Sequence, residues 1–147
     1  MKALSVRQPW ACFIENGEKT VECRSWSTSY RGRLLICASA QRDRTWDMSA
    51  FGLSRDEIEE AMPVGVAVCV VDLVDVRPLV STDREAACMA EEEMPPDGER
   101  YAWIFKNPRS VLDIIPVKGK LGFFDVDLPE DAVADEVNVP EGGAGCP

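Results

Sequence analysis

The chain has 147 residues, 46% of them hydrophobic and 29% charged, which is enough for one domain with its own core. It contains no histidine, so the Ser-His-Asp triad, the Cys-His dyad and the usual histidine-bearing zinc sites are excluded. Its formal net charge is −10, a balance that works against indiscriminate binding to nucleic acid.

Taken in chain order, "ALSV" (residues 3–6) predicts a short first strand. "QPWACFIENG" predicts a short helix, with Pro9 at its first position, Trp10, Phe13 and Ile14 on one face, and Gly17 as the left-handed stop. "KTVECRSW" alternates, Val21 and Cys23 pointing one way and Thr20, Glu22 and Arg24 the other, as in a half-buried strand. "WSTSYRGR" is a polar turn. "RLLICASA" is apolar throughout, as a strand buried on both faces should be. Residues 40–53 are ambiguous between helix, strand and loop. "LSRDEIEEAM" predicts a helix, with Ser54 and Glu57 as its capping box. The valine-rich stretch over about 66–77 is the longest strand signal. Thr82 and Glu85 form a second capping box, which predicts a helix through "DREAACMAEEE". Pro95, Pro96 and Gly98 make a loop. "YAWIFKNPRSV" reads as a strand followed by a turn at Asn107-Pro108, and "IIPVKGKLGFFDVDL" as a last strand with a loop at Lys118-Gly119-Lys120. Short strands with a few short helices between them define an α+β domain on a small, mostly antiparallel barrel or curved sheet, over residues 1–128. Residues 129–147 are acidic, lack basic side chains and end in "EGGAGCP". They are expected to form a mobile tail.

Charge is unevenly distributed. Residues 1–44 hold eight Lys/Arg against four Asp/Glu, and the remaining residues hold eight against 22. A basic N-terminal third offers a local anion site; the plain alternative is that these charges scatter over the folded surface. Of six cysteines, none forms a C-x-x-C pair, and Cys12, Cys37 and Cys69 lie in apolar runs where a thiol acts as a small hydrophobe. This predicts a reducing, cytoplasmic setting with no disulfide framework, no metal site and no cofactor. No apolar run reaches the length of a membrane span, and "MKALSVRQPW" lacks the apolar core of a signal peptide.

The stretch "NGEKTVECRSW" (residues 16–26) concentrates the chemistry. Lys19 is an ammonium whose proton can be lost on burial. Glu22 can move a proton or orient a water. Arg24 offers a planar fork for phosphate or carboxylate, and Trp10 and Trp26 offer flat faces for a base. The plain reading is a solvated strand face, which antiparallel sheets often have.

The phrase "LSVRQPWACFIENGEKTVECRSWSTSYRGRLLICAS" resembles the start of ASCH domains, the activating-signal-cointegrator homology family. The likeness lies in a "QPWA" helix start, a G-x-K-x-x-E-x-R stretch (Gly17, Lys19, Glu22, Arg24) and a "YRG" turn (Tyr30, Arg31, Gly32). "YAWIF" and "PVKGKLGFF" resemble the family's closing strands, so the likeness covers about residues 3–128. It implies a PUA-like fold, a small β-barrel with surrounding short helices and a cleft on one side, lined by the G-x-K-x-x-E-x-R stretch. It also implies a place in RNA metabolism: some members remove the acyl group from N4-acetylcytidine and others act as ribonucleases. The deacylating members carry a nucleophilic threonine three residues after the lysine. Here that position is Glu22, while Thr20 directly follows Lys19, so a covalent threonine mechanism is not expected. A water activated by Glu22, with Lys19 stabilising developing negative charge, takes its place.

Other residues have two readings each. Trp103 and Tyr101 are core or a base-stacking wall. Arg31 holds a phosphate or caps a surface turn. Ser39 is a cleft hydroxyl or a strand-end cap. Gln8 reads a base edge or caps the helix. Lys118 and Lys120 extend the basic wall or serve solubility. The resemblance, taken with these residues, implies an RNA- or nucleotide-binding protein that acts as a hydrolase on a modified nucleoside (N4-acylcytidine amidohydrolase-like) or on RNA. Lys19 and Glu22 are its catalytic pair, and Arg24, Trp26, Tyr30, Arg31, Gln8, Trp10, Ser39 and Trp103 are its ligand contacts. The alternative is a non-catalytic RNA-binding module, and a third reading is an acidic interaction protein. The partner is RNA, a nucleoside or a nucleotide, with no membrane; no oligomeric state follows from the sequence.

Overall fold

The computed structural model describes residues 1–44 and 52–140. Among them, six strands form one mixed sheet: β1 (Lys2–Val6), β2 (Val21–Arg24), β3 (Gly32–Ala38), β4 (Val66–Pro78), β5 (Tyr101–Ser110) and β6 (Phe123–Asp125), in the order β2-β5-β4-β3-β1-β6. Only the β1–β3 pair is parallel. It needs the long crossover through helix α1 (Trp10–Glu15) and β2 that lies between those strands. A second helix, α2 (Arg55–Ala61), starts where Ser54 accepts the Glu57 N–H at 3.1 Å, as the capping signal requires. Gly17, at φ +86°, ends the turn after α1 in the conformation that favours glycine.

β3 is buried on both faces. Leu34, Ile36 and Ala38 join the main core with Leu4, Val6, Ile14, Val71 and Phe105, while Leu35 and Cys37 face a second layer with Ala3, Val70 and Phe124. The sheet curls until side chains from its two ends meet. Trp26, just past β2, packs edge-on against Trp103 of β5 at 4.7 Å and against Phe123 of β6 at 5.2 Å between ring centres. The Trp103 indole N–H donates to the Trp26 carbonyl at 3.1 Å. These aromatic contacts close a half-barrel and leave a gap between the β2 edge and the C-terminal end of β1.

Three predicted elements differ. No α-helix follows Thr82; instead single 3-10 turns occur at Ser81–Asp83 and Glu91–Glu93. The carbonyls a helix would use internally are given elsewhere. Ala86 accepts from the Thr20 and Val21 N–H groups, and Ala87 accepts from the Lys19 ammonium. Asp83 is held by Arg77 through two bonds of 2.7 and 2.8 Å and accepts the Val80 N–H. β5 runs through Asn107-Pro108 without turning away: Asn107 takes φ +55°, and the pairing with β4 shifts register on either side of Asp72, so a bulge absorbs the irregular residues. Of the last predicted strand only Phe123–Asp125 pairs as a strand, preceded by an isolated bridge between Val66 and Pro116.

The acidic segment beyond Leu128 is bound to the domain as far as Pro140. Val133 bridges to Val111, and Asn138 donates to the Glu15 carbonyl and the Ser110 hydroxyl at 2.8 and 2.9 Å. Residues 45–51, half of the ambiguous stretch 40–53, and the "EGGAGCP" end lie outside the described residues. Cys12, Cys23, Cys37 and Cys69 carry free thiols, whereas Cys88 is disulfide-bonded, which differs from the all-thiol expectation. No described helix is long and apolar enough to cross a membrane.

Candidate functional site

The gap left by the curl is a cleft of about 1210 Å³. Its floor is the end of β1 and the start of α1 (Ser5 to Arg7, and Trp10). One wall is β2, with Glu22 and Arg24, joined by Arg100. The opposite side is formed by Ser39 to Gln41, by Asp43 and by the loop from Val117 to Gly122. Arg7, Arg24, Arg100, Lys118 and Lys120 bring five cationic side chains to this lining, against the two carboxylates of Glu22 and Asp43. A protein of net charge −10 therefore has a locally cationic cavity.

β2 places the central charges. Its pairing sets Glu22 opposite Trp103 and Arg24 opposite Tyr101, while the alternate residue Val21 turns to a small cluster with Leu79, Ala87 and Ala102. Arg24 donates to Glu22 through Nε at 3.2 Å and Nη2 at 2.9 Å, and its Nη2 also reaches the Ser5 carbonyl at 2.6 Å. Arg24 thus spans the gap between β2 and β1. Lys19 approaches Glu22 from behind, with Nζ 3.6 Å from Oε1. It is 5% exposed and donates to the Ala87 carbonyl at 2.6 Å, with the Trp10 ring centre 5.7 Å away. Burial pushes the Lys19 ammonium below its ordinary value, and the neighbouring Glu22 carboxylate acts against that shift. Lys19, Glu22 and Arg24 form one charge row running from the interior to the cleft.

Of the other residues singled out by sequence, Trp10, Ser39, Lys118 and Lys120 line the cleft. The Trp10 indole N–H donates to Asp43 at 2.8 Å, which fixes the ring, and the Ser39 hydroxyl donates to the Gln41 carbonyl at 3.1 Å. The rest lie elsewhere. Trp103 is 0% exposed and Trp26 packs on it, so the barrel closure takes both faces. Gln8 is buried: its amide donates to the Pro63 carbonyl at 3.1 Å and its oxygen accepts the Cys12 N–H at 3.0 Å, which makes it a cap of α1. Tyr30 donates its hydroxyl to the Arg33 carbonyl. Arg31 closes its own turn through the Thr28 and Tyr30 carbonyls and lies 3.6 Å from Asp75. Among the described residues no cluster of three or more His, Cys, Asp or Glu side chains is arranged to hold a metal.

Sequence reasoning missed Arg7, Arg100, Asp43 and Ser5. Arg100 was reachable in principle: it precedes Tyr101, the partner of Arg24, so the β2–β5 register alone sets it beside the basic wall. The others depend on the curl of the sheet, which no local pattern encodes.

Residues 4–115 match the ASCH domain family, so the chain belongs to that family. It is similar to human activating signal cointegrator 1, at 32% identity in an alignment 131 residues long that covers 84% of this chain and 22% of the relative. The mouse protein is similar at 30% identity over the same shares. The chain thus spans about a fifth of the length of these relatives. The crystal structure of ASCH from Zymomonas mobilis superposes with a TM-score of 0.57, covering 89% of each chain at 15% identity, a likeness of fold.

Proposed function

We propose that the cleft binds RNA, as a single-stranded segment rather than a free nucleoside. The observation that carries this is the five-to-two excess of cationic side chains around one cavity of an acidic protein. Phosphates would lie along Arg7, Arg100 and the two lysines, and the exposed part of Trp10 would stack a base. The cavity's 1210 Å³ exceeds the roughly 300–1,000 Å³ of small-ligand pockets, which suits an extended ligand. The free thiols of Cys12, Cys23, Cys37 and Cys69 favour a cytoplasmic setting for this binding, and the disulfide at Cys88 weighs against it.

A hydrolytic step on the bound ligand, at an N4-acylcytidine or at the RNA backbone, is the second reading. It is favoured by Glu22, a carboxylate on the cleft wall held in place by Lys19 and Arg24. In that reading Glu22 activates a water and Arg24 faces the developing negative charge, while Lys19 positions Glu22 from behind. The deciding experiment offers purified protein a panel of N4-acylated cytidines and a mixed-sequence single-stranded RNA, with Glu22→Gln as control. Binding without turnover establishes the module. Product that disappears in Glu22→Gln establishes the hydrolase. Absence of both binding and turnover refutes the assignment of the cleft.

A further inference from the structure

Ser5 holds a hydroxyl that the fold leaves unused. It lines the cleft, and its Oγ is buried with no hydrogen-bond partner among the described residues. Native interiors rarely leave such a group unmet, and each case calls for a cause. The cover over it is a single glycine: a Cβ placed on Gly119 would lie 2.4 Å from Ser5 Oγ. Only glycine lets the chain rest so closely on that oxygen.

The covering loop is weakly tied down. Val117 is anchored by its N–H to the Gly65 carbonyl at 2.8 Å, and Phe123 is anchored by pairing with Leu4. Between them, Lys118 to Leu121 are exposed, and none of these residues makes a backbone hydrogen bond to another described residue. Leu121 is fully exposed at the mouth of the cleft, and Gly122 takes φ +67° at the loop's end. Few bonds, high exposure and a terminal glycine are the physical marks of a segment that opens at low cost.

We propose that Ser5 is a ligand-contacting residue, uncovered when the Lys118–Gly122 loop lifts, and that its hydroxyl donates to an anionic phosphate oxygen of the bound strand. The inference rests on the reading of the cleft as an RNA site. The surroundings select an anion: Lys118 and Lys120 move with the cover, and Arg24 already holds the Ser5 carbonyl, which aligns β1 with the basic wall.

The test measures anisotropy of a labelled single-stranded RNA of about 12 nucleotides, together with thermal melting, for wild type and Ser5→Ala. The expected result is a melting temperature at or above that of wild type, since an unmet buried hydroxyl is removed. RNA binding should be roughly tenfold weaker, the loss of one hydrogen bond to a charged oxygen. For the cover, Gly119→Ala should speed tryptic cleavage at Lys118 and Lys120. The double variant Ser5→Ala with Gly119→Ala should restore protection, because the remaining Cβ contact is an ordinary 3.5 Å. Unchanged RNA affinity in Ser5→Ala overturns the inference and leaves the RNA reading intact. Loss of binding accompanied by a lower melting temperature makes the hydroxyl structural and also overturns it. A wild-type protein that binds no RNA overturns both.

Discussion

Arg100→Ala should lower RNA affinity and, more tellingly, flatten its salt dependence. Of the five cations around the cleft, Arg24 is committed to Glu22 at 2.9 Å, which leaves Arg7, Arg100, Lys118 and Lys120 without an ion pair among the described residues. Each phosphate neutralised on a single strand contributes about −0.7 to the slope of log K against log salt. Four contacts give a slope of about −2.8, or roughly a 50-fold loss of affinity between 50 and 200 mM salt. Removing one gives about −2.1 and a loss of roughly 18-fold over the same range. The assay is a series of anisotropy titrations at several salt concentrations for both proteins. A wild-type slope near zero would refute the electrostatic reasoning, because counterion release does not depend on the identity of the bases. An unchanged slope in Arg100→Ala would place the strand on another face. Arg100 is exposed and lies just outside the sheet, so misfolding is not the expected reason for a loss.

Two further predictions concern the groups beneath the cleft. Lys19→Met keeps the side-chain stem but orphans the Ala87 carbonyl; an unmet buried acceptor costs about 1–3 kcal/mol, which at this chain length lowers the melting temperature by roughly 4–8 °C at the middle of that range. A more stable variant, measured by thermal and chemical denaturation, would show that relief from ammonium desolvation outweighs the lost bonds. Burial pushes the Cys37 thiol up from the ordinary value of 9.0 to about 12; the folded state therefore keeps a proton that the unfolded state loses between those values, and stability must fall as pH rises through that window. The drop between pH 8 and pH 10 is about 1.4 kcal/mol from this group, and Cys37→Ala should remove it; equal pH slopes for the two proteins in urea titrations would refute the assignment.

The elements legible in the sequence were those specified by local patterns. The doubly buried run Leu34 to Ala38, the Ser54 cap and the Gly17 stop each follow from side-chain period or backbone freedom at one place, and each is present. The helix after Thr82 was misread because its capping signal is local whereas its carbonyls are claimed by Lys19 to Val21, more than 60 residues earlier. The aromatic residues fared likewise. The sequence offers Trp10 and Trp26 alike as stacking faces and Trp103 as core or wall, and only the curl of the sheet assigns Trp26 and Trp103 to its closure and leaves Trp10 on the cleft. The same curl brings Arg7 and Lys118 to one cavity from opposite ends of the chain.

The acidic balance and the cationic cleft are compatible because screening makes charge a local property. At physiological ionic strength the Debye length is about 8 Å, so a phosphate in the cleft responds to the nearby arginines and lysines far more than to carboxylates across the domain. The carboxylates then act mainly on approach. One acidic stretch, from Asp127 to Glu136, carries five carboxylates and no cation and is held against the domain by the Val111–Val133 bridge and by Asn138, so a polyanion is repelled there. The charge row from Lys19 through Glu22 to Arg24 fits the same logic. Glu22 balances the buried ammonium on one side and orients the guanidinium on the other, so Arg24 is fixed in the gap between β2 and β1 and the cationic wall keeps its shape when no ligand is bound. Removing the Glu22 carboxylate would therefore do more than subtract a negative charge from a basic site. It would release the arginine that joins the two edges, and the cleft would lose its preorganisation along with its candidate base.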